Sequence, residues 1–436
     1  MRVTLVSTYE SGRQPFGLAA PAALLRQAGH EVTCADAAVD SIPLAAVKNA
    51  ELIAFYLPMH TATRLAAPLI GKARAANPEA RLCCYGLYAT LNEAHLRSLG
   101  VQTVVGGEFE AALVELASGG SPGGVRLERI PFATPYRAGL PPLARYAAFA
   151  ENGNERVAGY TEASRGCKHL CRHCPVVPVY EGKFRVVPIE VVLADIRQQV
   201  EAGAEHVTFG DPDFCNGPAH ARRIVERLHR EFPGLTYDVT IKVEHLLRHR
   251  DLLPVLAATG CRLVTSAAES VDDAVLAKLD KGHTRADFVE AVALCRATAL
   301  ALSPTFIPFT PWTTRNGYLD LLRTLADLDL VANVSPVQLA LRLLIPAGSR
   351  LLELDEIRSM VDPFEGEALV HRWRHSDPEL DRMAADMLPL VDREQKRGSG
   401  RATIFAKIWE RAAGAPPDFA LPDRATIPYL TEPWYC

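Results

Sequence analysis

The sequence predicts an α/β protein with three parts. These are an N-terminal doubly wound, Rossmann-like parallel sheet, a partial (β/α)6 barrel of the TIM type, and a mostly helical C-terminal region. Three observations carry this reading. Short apolar runs alternate with helical patterns over 1–118. The same alternation restarts after a Gly- and Pro-rich break and runs over 156–350. The remainder, 351–436, has polar, helical composition with prolines near its end.

In the first part the strand candidates are 3–7, 31–35, 52–57, 81–85 and 103–105, with helical segments at 18–28, 61–76 and 108–117. Open parallel sheets bind ligands outside the carboxyl ends of their strands, which here are 10–17, 58–60, 85–87 and 106–107. Residues 119–155 contain Gly119-Gly120-Ser121-Pro122-Gly123-Gly124 and Gly139-Leu140-Pro141-Pro142, and read as an extended linker. The second alternation offers strands at 157–162, 206–209, 237–242, 262–266, 303–308 and 337–341. Ile189, Val192, Leu193, Ile196 and Val200 share one helical face, and Gly203 follows as a stop. Reactive groups of such a barrel belong at the carboxyl ends of its strands, where Lys242, Glu244 and Arg342 would face one opening.

Of 436 residues, 48% are hydrophobic and 22% charged, with a net charge of −4 and no basic block. This is the composition of a soluble globular protein and gives no support to a nucleic-acid surface. No apolar run approaches the length of a membrane span, and the start of the chain lacks the pattern of a signal peptide, so a cytoplasmic location is expected. Of ten cysteines, Cys34, Cys83, Cys84, Cys215, Cys261 and Cys295 fall in or beside strand and helix patterns and read as small core residues.

Three others stand together in Glu162-Ala163-Ser164-Arg165-Gly166-Cys167-Lys168-His169-Leu170-Cys171-Arg172-His173-Cys174, spaced C-x3-C-x2-C after the first barrel strand. Soft thiolates in one tight loop suit an iron–sulfur cluster or zinc. Structural zinc takes four protein ligands, so zinc would need His169 or His173 as the fourth. A four-iron cluster normally takes four cysteines, so three leave one iron open to a small molecule.

The spacing and its position resemble the radical S-adenosylmethionine (SAM) superfamily. The resemblance implies a [4Fe–4S] cluster on Cys167, Cys171 and Cys174 that cleaves SAM reductively. By the same resemblance Gly210, Asp211 and Asp213, in Phe209-Gly210-Asp211-Pro212-Asp213-Phe214, meet the methionine amino group of SAM. Glu269 and Ser270 approach its ribose, and 306–312 its adenine; taken alone, Asp211 and Asp213 could simply cap a helix.

The first domain resembles the cobalamin-binding domains joined to many radical enzymes, through Gly17-Leu18-Ala19-Ala20 and Val105-Gly106-Gly107-Glu108. The resemblance implies that Gly17, Gly106 and Gly107 let the backbone approach a corrin. It departs from the pattern at 7–17, which holds no histidine to ligate cobalt; a domain that has lost its cofactor is the other reading. Leu430-Thr431-Glu432-Pro433-Trp434-Tyr435-Cys436 resembles the CUAEP/CCAEP-tail radical proteins, with Cys436 as a catalytic thiol beside a recoded selenocysteine.

The implied reaction is alkyl transfer, methyl where cobalamin is bound, to a small-molecule substrate. An external flavodoxin- or ferredoxin-type donor would supply electrons, with neither nucleic acid nor membrane as partner. The alternative enzyme works without cobalamin and uses the tail, for instance on a soft metalloid. A non-catalytic iron–sulfur or zinc redox sensor is the reading from a different class.

Overall fold

The computed structural model describes residues 1–421 and 426–431. Its first sheet is parallel throughout, in the order β2-β1-β3-β4-β5-β6. The strands are β1 (Arg2–Ser7), β2 (Glu31–Asp36), β3 (Leu52–Tyr56), β4 (Arg81–Tyr85), β5 (Thr103–Gly107) and β6 (Gly124–Arg126). The central strands are apolar on both faces because helices cover both; β3, for example, is buried at every position. One face packs Leu5, Ala54 and Val105 against Leu18, Leu25 and Leu113, and the other packs Ile53, Phe55 and Cys84 against Ala66, Ile70 and Leu96.

The second sheet runs β14-β13-β12-β11-β8-β7-β17. Its parallel core is β8 (Asn154–Thr161), β11 (His206–Phe209), β12 (Thr236–Thr240), β13 (Cys261–Glu269) and β14 (Ala301–Phe306). Antiparallel β7 (Ala148–Glu151) and β17 (Tyr429–Leu430) extend one edge. The sheet curls into an open half-barrel whose convex face carries the helices, with Val192, Ile196, Ile224, Leu228, Leu256, Phe288 and Leu322 in its core.

Three expectations change. The sixth barrel strand, at 337–341, is a single 3₁₀ turn, Pro336–Leu339, followed by one bridge between Phe309 and Arg342. Pro336 cannot donate to a ladder, and the run is held instead by packing and by scattered hydrogen bonds, from the Phe306 amide to Gln338 and from the Tyr318 hydroxyl to the Leu339 carbonyl. The stretch 119–155 is not merely extended linker, because β6 joins the first sheet and β7 the second. The C-terminal region has its helices, Pro378–Lys396 and Arg401–Ala413, but also an antiparallel hairpin of β15 (Val361–Glu365) and β16 (Val370–Trp373). Among the described residues no helix is long and apolar enough to cross a membrane.

Candidate functional site

The three clustered cysteines sit in a loop whose two ends are pinned together. Antiparallel β9 (Ser164–Gly166) and β10 (Phe184–Val186) close it, and Gly166 makes the closure possible. Gly166 has φ +71°, and a Cβ there would lie 2.5 Å from both the Lys183 carbonyl oxygen and the Tyr180 ring. Within the loop the Cys174 amide donates to the Cys171 carbonyl at 3.2 Å, and the Val177 amide to that of Cys174 at 3.2 Å. From outside, Asn216 Oδ1 accepts from the Lys168 amide at 3.3 Å and lies 3.9 Å from Cys167 Sγ. Arg350 donates to the Leu170 carbonyl at 2.8 Å. Neither brace was evident in the sequence, since each lies far along the chain from the loop it holds.

All three cysteines are free thiols, and burial pushes that of Cys174 up to about 12. A bare thiol there keeps its proton, and a metal centre is what would release it. Donor spacing separates the candidate metals. In a zinc tetrahedron with Zn–S of about 2.3 Å, sulfurs stand about 3.8 Å apart. Among the described residues the only three His, Cys, Asp or Glu donors that converge within 4.8 Å are His169, Asp213 and His245. The three cysteine sulfurs do not all converge within that distance, so they are not preset as a zinc tetrahedron, and three thiolates in one loop fit a four-iron cluster.

Around the loop lie the ends of β11, β12 and β13. Asp211 accepts from the Ala163 amide at 2.9 Å and the Ser164 hydroxyl at 2.5 Å, so both its oxygens brace the entry to the cysteine loop. Burial raises its carboxyl to about 7. Asp213 caps the following turn through the Cys215 amide and turns its other oxygen toward His245 and His169. Although burial opposes it, these two imidazoles hold the Asp213 carboxyl well below the usual range. Gly210 is packed against Tyr160, whose hydroxyl occupies the place of a Cβ.

Glu269 ends β13 at a register shift and has φ +66°, a left-handed backbone that costs a non-glycine residue about 1–3 kcal/mol. Its carboxylate accepts from His173 at 3.1 Å and Lys281 at 3.5 Å. Burial pushes against its ionisation, but Lys281 and His173 outweigh it and hold the carboxyl at about 2. Ser270 shapes the next turn by accepting from the Asp272 amide at 3.0 Å. Lys242 and Glu244 pair at 3.2 Å beside His169. Arg342 does not join them, because Asp381 and the Trp373 carbonyl, each at 2.7 Å, draw it into the C-terminal region. In the 306–312 stretch Phe306 and Phe309 are core, and Trp312 donates to Glu356. Cys436 lies outside the described residues.

The carboxyl edge of the first sheet meets this loop directly. Arg165, two residues before Cys167, reaches Glu108 at 3.4 Å and Glu110, both just past β5, and pairs with Glu162 at 2.7 Å. A second buried arginine, Arg137, binds Asp195 twice at 2.8 Å, Gln14 at 2.9 Å and the Tyr160 carbonyl at 2.6 Å. The two sheet systems are thereby locked edge to mouth. At this edge Ser7 Oγ, Glu10 Oε2, Thr90 Oγ1 and Glu108 Oε1 are buried without a hydrogen-bond partner. Orphaned hydroxyls and carboxyl oxygens fit a ligand fringed with amides, as a corrin is. The glycines serve the domain's own packing. A Cβ on Gly17 would lie 2.1 Å from the Tyr56 ring, one on Gly106 2.7 Å from the Thr90 hydroxyl, and one on Gly107 2.1 Å from the Arg126 carbonyl oxygen.

Comparison with known proteins agrees with this division. Residues 2–117 match the B12 binding domain family, and residues 161–323 match the radical SAM superfamily. The chain is 28% identical over 159 residues to tRNA-2-methylthio-N(6)-dimethylallyladenosine synthase of Chlorobium phaeovibrioides, covering 34% of each chain. It thus spans about a third of the length of that relative. Its fold resembles the cobalamin-dependent SAM radical enzyme OxsB with aqua-cobalamin bound. That match has a TM-score of 0.68 at 12% identity, over 90% of this chain and 67% of the other. It also resembles the radical SAM methyltransferase TsrM of Kitasatospora setae, with a TM-score of 0.60 at 17% identity over 75% and 70% of the two chains.

Proposed function

We propose that this chain, a radical SAM protein with an N-terminal B12 binding domain, transfers a methyl group from SAM to a small-molecule substrate with the help of cobalamin. The observation that carries the reading is Arg165. One guanidinium joins the start of the cysteine loop to the acids that follow β5, so a corrin on the sheet edge and a cluster in the loop would be neighbours. When bound, the cluster supplies a low-potential electron and a chelation site for SAM, and cobalamin supplies a carrier for the methyl group.

The chain's own residues bind, orient and exclude water. Cys167, Cys171 and Cys174 would hold the cluster, while Asp211 and Asn216 keep the loop in shape. Glu269, ionised and fixed by His173 and Lys281, presents a carboxylate for a ribose hydroxyl. Ser7, Glu10, Thr90 and Glu108 offer hydrogen bonds to corrin amides. Residues 7–17 hold no histidine that could ligate cobalt. A flavodoxin- or ferredoxin-type protein would deliver the electron. The stretch Glu432-Pro433-Trp434-Tyr435-Cys436 supports a further reading by its resemblance to the CUAEP/CCAEP-tail radical proteins, with Cys436 as a catalytic thiol.

The test uses anaerobic, cluster-reconstituted protein with SAM and a low-potential reductant, with and without hydroxocobalamin. The expected result is retained corrin with a spectrum lacking histidine coordination, and S-adenosylhomocysteine formed only when corrin is present. Deoxyadenosine alone, with no corrin retained, would overturn the methyl-transfer reading in favour of cobalamin-free radical chemistry.

A further inference from the structure

We infer that His169, Asp213 and His245 form a second, mononuclear metal site beside the cysteine loop, built for a divalent first-row transition ion. The three come from separate elements. His169 lies in the cysteine loop, Asp213 follows β11, and His245 opens the helix Val243–Arg248 that follows β12. His245 Nδ1 lies 2.6 Å and His169 Nε2 3.4 Å from the same oxygen, Asp213 Oδ2. The three donor atoms fall within 4.8 Å of one another.

Both imidazoles stand at ion-pair distance from the Asp213 carboxylate, yet their alignment is not that of good hydrogen bonds. Asp213 Oδ2, His245 Nδ1 and His169 Nε2 are all buried, and none makes a hydrogen bond of acceptable geometry, not even to one another. His245 is wholly buried, and Asp213 is 2% exposed. Leaving three such atoms orphaned is costly. Donor atoms that crowd together, buried and unsatisfied, are what an ion would satisfy. With metal–nitrogen and metal–oxygen bonds of about 2.0–2.2 Å, neighbouring donors stand about 3–3.5 Å apart; the 3.4 Å pair already matches, and the 2.6 Å pair would open slightly on binding. Two imidazoles and one carboxylate, with coordination positions left over, suit zinc or ferrous iron rather than calcium or magnesium.

The surroundings supply a switch between the empty and filled states. His169 Nδ1 lies 3.1 Å from Lys242 Nζ and 3.7 Å from Glu244 Oε2. While the Lys242 ammonium donates to Nδ1, the imidazole proton sits on Nε2 and blocks ligation. As an ion takes Nε2 the proton passes through solvent to Nδ1, Lys242 turns aside, and Nδ1–H donates to Glu244, the outer carboxylate that metal-bound histidines commonly have.

The inference does not rest on methyl transfer or on cobalamin, and its test is metal binding. Full-length protein carrying its reconstituted cluster is titrated with Zn(II), desalted, and assayed for zinc, iron and sulfide. X-ray absorption at the zinc edge then reads the ligands. We expect about one zinc per chain with nitrogen and oxygen neighbours, imidazole scattering, and no sulfur at about 2.3 Å. His245→Ala and Asp213→Asn should each weaken zinc at least about 10-fold while iron and sulfide remain. Lys242→Met, which removes the competing ammonium, should tighten it. No retained zinc, sulfur ligands at the zinc, or unchanged zinc in a folded His245→Ala protein would overturn the site. Should the substitutions prevent folding, the ligand set of the unsubstituted protein decides by itself.

Discussion

Replacing Arg165 by methionine would leave Glu108, Glu110 and Glu162 facing one another in a seam where Arg165 and both β5-side glutamates are less than 9% exposed. Methionine keeps an apolar stem and removes the guanidinium, which also lies over the Phe16, Phe109 and Phe132 rings. Removing one partner of a buried ion pair costs about 3–5 kcal/mol. With about 2.1 cal/mol/K of unfolding entropy per residue, 436 residues unfolding together give about 0.9 kcal/mol/K, so the melting temperature falls by about 4 °C. The loss depends on pH. Burial already lifts Glu108 to about 7, and removal of Arg165 lifts it further, so at pH 5.5 Glu108 holds its proton and the loss is better tolerated. Thermal melts of the two proteins at pH 8 and pH 5.5 should show the full deficit at pH 8 and a much smaller one at pH 5.5. Equal deficits at both values would refute the charge argument, and no deficit would refute the role of Arg165 as the link between the two units.

Glu108→Gln tests the same seam from the other side. The folded Glu108 carboxyl titrates at about 7 against an ordinary value of 4.5. Its contribution is therefore fully present below 4.5 and is lost as pH rises through 7, up to about 3 kcal/mol. The glutamine protein should melt higher than the parent at pH 8 and alike at pH 4.5; a lower melt at pH 8 would contradict this. Gly17→Ala would drive a methyl into the Tyr56 ring, itself buried, and should cost about 1–3 kcal/mol while iron and sulfide stay unchanged. Full stability in that variant would show that the helix start is not packed as described. Ala at Cys215, Cys261 or Cys295, all buried in the barrel core, should leave the cluster intact, and iron loss in any of them would assign it to the wrong cysteines.

What was legible in the sequence was what is local. The C-x3-C-x2-C loop lies within eight residues, and the parallel strands announced themselves as short apolar runs between helices. The false sixth strand shows the limit. Residues 337–341 are apolar because they are buried, and burial alone does not distinguish a ladder from a packed turn. Edge strands such as β7 and β17 are short, and β17 finds its partner β7 hundreds of residues back along the chain. The site followed the same division. Asp213 was visible as part of an acidic motif, but nothing in the sequence singled out His245. Its meeting with His169, 76 positions away, exists only once β11 and β12 stand side by side. The Arg165 seam was equally invisible, since Glu108 and Glu110 belong to the other sheet.

The most direct test is the composition and reactivity of anaerobically reconstituted protein, set against Cys167→Ala, Cys171→Ala and Cys174→Ala. With three cysteines holding a cluster whose fourth iron is free for SAM, the parent protein should contain about four irons and four sulfides per chain. When reduced, it should consume SAM. Each of the three variants should lose the cluster's visible absorption and that turnover together. Stoichiometric zinc without sulfide, or SAM cleavage that survives the loss of any one of the three cysteines, would contradict the account.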